Sequence, residues 1–231
     1  MKNTKHLIEV KNVSKTFQLG KLDVPVLKNI SLSVEQGDFL SIMGPSGSGK
    51  STLLYLMGGL DHVTQGEIYI KDKLMKKLND EEQSSMRRKD IGFVFQFYNL
   101  IPNLSVEENI LLPSLLDGKS KEELKEDLEA ILKIVDLEDR RNHTPRELSG
   151  GQQQRTAIAR ALIGKPDIIF ADEPIGNLDS KNGVEILKIL QKINREQKKT
   201  IIMVTHSEES ATYGNRIMSL CDGVIQNDNY C

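Results

Sequence analysis

Four short runs, FLSIM at 39–43, IGFVF at 91–95, DIIFA at 167–171 and TIIMVT at 200–205, are almost wholly apolar and lack polar alternation. A strand with one wet face alternates, whereas a strand covered on both faces reads as a continuous apolar run. These four runs therefore predict parallel strands inside a sheet, and helical patterns stand between them, as that covering requires. One helix follows Lys50, a second carries Leu124, Leu128, Ile131 and Val135 on one stripe, and a third carries Leu187, Leu190 and Asn194 beside Ile186 and Ile193. The expected class is α/β. The stretches LIEVKNV, VLKNISLSV and GEIYI, ahead of residue 71, alternate or sit between turns and predict an antiparallel sheet flanking the core. CDG at 221–223 predicts a closing hairpin, and residues 100–165 carry helix signal with few strands, the charged run DGKSKEELKEDLE reading as a solvated face.

Composition narrows what such a core serves. Thirty-one basic against thirty-three acidic residues give a formal charge of −2, which offers nothing to a nucleic acid or an acidic membrane surface. The opening MKNTKHLIEVKNV lacks the apolar stretch of a signal peptide, and no segment approaches the roughly 20 apolar residues of a membrane span, so a soluble chain is expected. Cys221 and Cys231 have no metal-ligand spacing.

The strongest chemical signal is GPSGSGKS at 44–51, set between the strand FLSIM and the helical TLLYLM. A phosphate cradle needs that context: glycines turn backbone amides inward, the helix N-terminus adds positive potential, Lys50 reaches the β and γ phosphates, and Ser51 offers a hydroxyl to Mg2+. Gly44, Pro45, Ser46, Gly47, Ser48, Gly49, Lys50, Ser51 and Thr52 are thus candidate nucleotide contacts. The second signal is IIFADE at 168–173, a buried strand ending in adjacent carboxylates. Unpaired acids there are costly, and a nucleotide gives them a purpose: Asp172 holds Mg2+, and Glu173 accepts a proton from the water attacking the γ phosphate. Gln96 and His206 end two further core strands at the same carboxyl edge, where open α/β sheets bind ligands. Gln96 is a candidate for the ion or the attacking water, and His206 for the γ phosphate or for orienting Glu173. A single glutamine or histidine at a strand end more often just satisfies a hydrogen bond; their shared edge favours the site. Finally, LSGGQ at 148–152 opens a helix, with Ser149 as N-cap and Gln152 completing a capping box. A plain capped helix needs no more than this, yet Gly150 and Gly151 also expose amides suited to a second anion.

Taken together, the chain resembles the ATP-binding subunit of ABC transporters. The likeness rests on the P-loop at 44–51, a Q-loop at Gln96, the signature LSGGQ at 148–152, a Walker B strand at 168–173, a D-loop in NLD at 177–179 and a switch histidine at His206. It implies a single ATPase domain over 1–231: a P-loop core with a mostly parallel sheet and an N-terminal antiparallel β subdomain, at about 1–95 and 166–231, and an inserted helical subdomain at about 100–165. It further implies ATP and Mg2+ as cofactors, and two copies packed head to tail so that each ATP lies between one P-loop and the other signature. Ser149, Gly150, Gly151, Gln152 and Asp179 then belong to the nucleotide site, and Phe17 in VSKTF resembles an adenine-stacking aromatic, if it is not core. The catalytic set implied is Glu173, His206, Gln96 and Lys50, with Ser51, Gln96 and Asp172 around the metal. The partner implied is a membrane permease, with the chain peripheral on the cytoplasmic face. Phe97, Tyr98, Leu100 and Ile101 read either as its docking groove or as core of the helical lobe.

Within the family, STLLYLMGGLD, IGFVFQFYNLIPNLSVEENILLP, PRELSGGQQQR and ADEPIGNLDS are most similar to the macrolide-exporter and lipoprotein-releasing group, with its antimicrobial-peptide-resistance, haem-export and cell-division relatives. Ile175 stands where that group usually carries threonine. The resemblance leaves three readings: transport of a peptide, lipoprotein, macrolide-like or other hydrophobic compound; regulation of a membrane partner without transport; and a soluble ATPase acting on DNA or ribosomes. The long coiled-coil insertions or paired cassettes usual in that last group do not occur here.

Overall fold

The computed structural model describes residues 6–231; the first five, which belong to the stretch read for a leader, lie outside them. In chain order the strands are β1 (Ile8–Leu19), β2 (Leu22–Val34), β3 (Phe39–Met43), β4 (Gln65–Ile70), β5 (Lys73–Leu74), β6 (Ile91–Val94), β7 (Ile168–Asp172), β8 (Thr200–Val204), β9 (Arg216–Cys221) and β10 (Val224–Tyr230). The helices are α1 (Lys50–Met57), α2 (Asp80–Lys89), α3 (Val106–Leu116), α4 (Lys121–Ile134), α5 (Gly150–Leu162), α6 (Ser180–Gln197) and α7 (Glu208–Ala211).

The four apolar runs become β3, β6, β7 and β8, parallel neighbours in a six-stranded sheet of order β10-β9-β3-β8-β7-β6. The absence of polar alternation has a direct cause. Alternate side chains of each strand enter two different cores: Phe39, Ile169, Ala171, Ile201 and Met203 on one face, and Leu40, Ile42, Ile168, Phe170, Ile202 and Val204 on the other. The first face is covered by α3, α4, α5 and α6 through Ile110, Leu128, Ile158 and Leu190. The second is covered by α1 and by an antiparallel sheet of order β2-β1-β4-β5, through Leu53, Met57, Ile8, Val10 and Ile70. Between β6 and β7 the chain leaves the sheet for α3, α4 and α5, and β9 and β10 close on a two-residue turn whose Asp222 and Gly223 both have positive φ.

Two differences from the sequence reading have clear origins. Helix α2, not anticipated, reads DEEQSSMRRK and so offers Met86 alone as an apolar anchor; its ends are fixed instead by an Asn79–Glu82 capping box and by acids first, bases last. Strand β2 starts at Leu22, ahead of the alternating VLKNISLSV, because it pairs with β1 as far as Leu19.

Candidate nucleotide site

The sheet places β3, β8, β7 and β6 side by side and parallel, so their carboxyl ends share one edge. The P-loop leaves β3 there, Gln96 follows β6, Asp172 ends β7, and His206 follows β8. Four chain segments distant in sequence thus converge through strand order alone.

At the P-loop, Gly44 adopts φ 151°, and a Cβ on it would lie 2.0 Å from Leu220 O, so only glycine lets the loop pass β9. The Lys50 ammonium donates to Gly44 O and Pro45 O, both at 2.8 Å. Ser48 Oγ is buried with no hydrogen-bond partner among the described residues. Ser51 Oγ donates to Asp172 Oδ1 at 2.8 Å, joining the loop to the end of β7. The other oxygen of Asp172 accepts from Tyr55 OH at 2.5 Å. Burial, and then the hydrogen bond and charge of Asp172, hold the Tyr55 phenol well above its ordinary pKa, so it stays protonated as a donor.

Glu173, one residue past β7, has φ 45°, a left-handed conformation that costs a non-glycine residue about 1–3 kcal/mol. Backbone bonds hold it there, from Glu173 N to Val204 O at 3.1 Å and from Gly176 N to Glu173 O at 3.0 Å. The result turns its carboxylate toward the end of β8, where Oε2 lies 3.6 Å from His206 Nδ1. Gln96 sits against the next turn of the same loop: Asn177 Nδ2 donates to Gln96 O at 2.9 Å, and a Cβ on Gly176 would be 2.7 Å from Gln96 Nε2.

The signature turn lies elsewhere. Ser149 Oγ accepts from Gln152 N at 3.3 Å, and Ser149 N donates to Gln152 Oε1 at 2.9 Å, a reciprocal capping box. The first helical amides, those of Gly150 and Gly151, have no partner within the helix. The neighbours of this turn are Tyr98, Leu178 and Asn182, whereas Gly49 of the P-loop meets Val26 and Leu27. A Cβ on Gly151 would lie 2.5 Å from Asn182 Oδ1, so the glycine also permits the start of α5 to approach the start of α6. Asp179 caps α6, accepting from Asn182 N at 3.0 Å and Asn182 Nδ2 at 2.6 Å. Those bonds, the backbone one foremost, lower its pKa. Phe17 is half exposed on β1 opposite Val24, with the Lys15 ammonium 4.7 Å over its ring.

Three residues were missed by the sequence reading. Tyr55 stands four positions after Ser51 on α1, a spacing that puts both on one helix face and was readable. Gln154, fully buried, donates to Pro174 O at 2.6 Å and to Phe95 O at 3.4 Å, tying α5 to the segments that carry Glu173 and Gln96. Arg160 donates to Tyr98 O at 2.8 Å and Asn99 O at 2.6 Å, bracing two residues of positive φ just after Gln96.

The family model for the ABC transporter matches residues 27–176. The chain belongs to the ABC transporter family. This ABC ATPase is 48% identical over 226 residues to the uncharacterized ABC transporter ATP-binding protein MJ0796 of Methanocaldococcus jannaschii, with 96% of each chain covered. The macrolide export ATP-binding/permease protein MacB of Bdellovibrio bacteriovorus is 48% identical over 224 residues, 96% of this chain and 34% of that longer protein. The lipoprotein-releasing system ATP-binding protein LolD 1 of Chlorobium chlorochromatii is 40% identical over 230 residues, covering 99% and 93%. Among solved structures, the dimeric post-hydrolysis state of the ATP-binding cassette MJ0796 bound to ADP and Pi matches with TM-score 0.89 and 46% identity, covering 96% of this chain and 98% of that one. As an ABC ATPase the chain binds and hydrolyses ATP. No helix among the described residues is long and apolar enough to cross a membrane.

Proposed function

We propose that the ABC ATPase hydrolyses ATP at two sites formed between two head-to-tail copies, each pairing one P-loop with the facing signature. The observation that carries this reading is the junction of Ser51, Asp172 and Glu173, with His206 at 3.6 Å, on the edge where the P-loop opens. The signature turn packs beside α6 of its own chain, which leaves its amides and Ser149 to a nucleotide held by the other copy. The MJ0796 cassette is dimeric with ADP and Pi, which favours the same arrangement.

The orphaned Ser48 hydroxyl and the glycine turn at Gly44 suit a phosphate, and the oxygen donors of Ser51, Asp172 and Gln96 suit Mg2+. Those three residues would hold the ion, which would supply positive charge against the phosphates. Glu173 takes the proton of the attacking water, and His206 orients Glu173 or donates to the γ phosphate. Lys50 leaves the carbonyls of Gly44 and Pro45 for the β and γ phosphates, where a charge-assisted bond is stronger. The facing Ser149 adds a further donor, Asp179 lines the contact between copies, and Phe17 offers a ring face to adenine. Residues 100–165 act as a helical subdomain against the core at 1–95 and 166–231.

The permease docks from the membrane side, which puts the ATPase on the cytoplasmic face. Phe97 (72% exposed) and Ile101 (41% exposed) support docking over lobe core at Phe97, Tyr98, Leu100 and Ile101. Grooves of about 460 and 660 Å3 flank Asn99, the larger lined by Phe93, Phe95, Leu116, Arg87 and Arg160. The likeness to MacB and LolD favours extraction or export of a hydrophobic compound, peptide or lipoprotein; regulation of a membrane partner without transport is the second reading.

Glu173→Gln tests the mechanism. Removing only the base lowers turnover about 10²- to 10⁴-fold while ATP still binds. Size-exclusion chromatography with ATP and Mg2+ then shows a dimer. Turnover equal to the parent's eliminates Glu173 as the base.

A further inference from the structure

Asp172 has two carboxylate oxygens, and α1 supplies a hydroxyl to each. Ser51 Oγ donates to Oδ1 at 2.8 Å and Tyr55 OH donates to Oδ2 at 2.5 Å. The two donors stand one helical turn apart on one face, so a single rigid element grips both oxygens of a carboxylate that is only 8% exposed. Ser51 belongs to the P-loop and its bond is part of the proposed metal site; Tyr55 lies outside the P-loop and the Walker B strand. Its ring is braced in turn, 6.5 Å from the Phe95 ring and inclined at 57°, and Phe95 directly precedes Gln96. The hydroxyl is therefore aimed by packing as well as by its own hydrogen bond.

We propose that Tyr55 is a positioning residue for the metal-holding carboxylate: by anchoring Asp172 Oδ2 it fixes the carboxylate plane, so that Oδ1 and Ser51 Oγ meet the ion in one orientation. The proposal rests on the reading of Ser51 and Asp172 as the metal-holding pair. The terminal torsion of an aspartate is broad and two-fold, so a carboxylate held at one oxygen alone samples a range of planes. Held at both, it is pre-organised, and hydrogen-bond partners of ligating carboxylates typically set about 10- to 100-fold in metal affinity. The phenol acts only through Asp172 and touches neither nucleotide nor ion.

Tyr55→Phe keeps the ring and its contact with Phe95 and removes only the donor. Full-length protein is loaded with a non-hydrolysable ATP analogue and titrated with Mn2+, free ion being read by electron paramagnetic resonance, with Mg2+ as competitor. The expected result is Mn2+ affinity about 10-fold lower than the parent's, with unchanged affinity for the analogue in the presence of a chelator. That second measurement also reports that the variant is folded. Unchanged Mn2+ affinity overturns the proposal, and so does an equal loss of metal-free analogue binding, which marks Tyr55 as a packing residue of the whole site. Ser51→Ala, measured alongside, separates the two levels. If it weakens Mn2+ binding while Tyr55→Phe does not, Tyr55 alone is misassigned; if neither variant weakens it, the metal-holding pair is wrong.

Discussion

Lys50 donates to two carbonyls of the loop that precedes it, Gly44 O and Pro45 O, which draws its ammonium into the curve of the P-loop. The same curve carries the buried Ser48 hydroxyl, so the residues that shape the loop are those that would face a phosphate. Lys50→Ala removes the ammonium and with it the hydrogen bonds proposed to the β and γ phosphates. A hydrogen bond to a charged group contributes about 1.5–3 kcal/mol, so ATP affinity is expected to fall about 10- to 100-fold in calorimetry. Affinity unchanged from the parent removes Lys50 from the site. Glu173 shows the same economy of position: its left-handed backbone is held by Val204 and Gly176, and that conformation points its carboxylate at His206.

At the scale of elements, the helices between β6 and β7 are opened by capping boxes of two kinds. Glu108 at the start of α3, Glu123 at the start of α4 and Glu147 in the 3-10 turn Pro145–Glu147 each accept the backbone amide of their N-cap residue, at 2.9, 2.7 and 2.6 Å. That backbone bond is the main cause of a lowered pKa at all three. A depressed carboxylate pKa means stability that is fully present above the unfolded value, about 4.3, and lost as pH falls through the folded one. The box of α5 uses Gln152, which does not titrate. Hydrogen-exchange protection of the Ser105, Ser120 and Thr144 amides is therefore expected to drop as pH falls below about 4, while that of Ser149 holds. Equal loss at all four amides would point to global unfolding and not to the caps. The neutral cap also keeps the signature turn free of a carboxylate that would repel a phosphate.

For the whole molecule, the decisive feature is that the two termini proposed to bind anions lie among different neighbours, the P-loop against Val26, Leu27 and Leu220 and the signature against Tyr98 and Asn182. Ser149→Arg places a bulky cation at the signature and leaves the P-loop untouched. Such a variant is expected to bind ATP as a monomer and to lose dimerisation and turnover. Mixed with Lys50→Ala, it forms dimers having one site with both parts intact and one with both damaged, and nucleotide trapping in the mixed dimer reads the intact site. If Ser149→Arg dimerises with ATP and turns over at the parental rate, LSGGQ is only a capped helix and the two-copy mechanism fails. Within each copy, Gln154 links the signature helix to Pro174 and Phe95, so the two ends of the proposed dimer contact share a buried connection.

How far each level was legible follows from where its information lies. Local patterns carried the four buried strands, the Ser149–Gln152 box and the strand–loop–helix frame of GPSGSGKS, because periodicity, caps and glycine turns act over a few residues. They also put Gln96, Asp172, Glu173 and His206 at strand ends. Helix α2 escaped because its stability comes from capping and charge, with Met86 as the lone apolar signal. What sequence could not fix were the partners across distance: that Gln154 reaches Pro174, that Gly151 makes room for Asn182, and that Tyr55 completes the grip on Asp172. Those depend on the strand order β3-β8-β7-β6 and on α5 packing beside α6. Residue types and spacing are local, so the candidate motifs could be read from the chain itself; which side chains meet was set by packing, since a hydrogen bond needs its partners within a few ångströms.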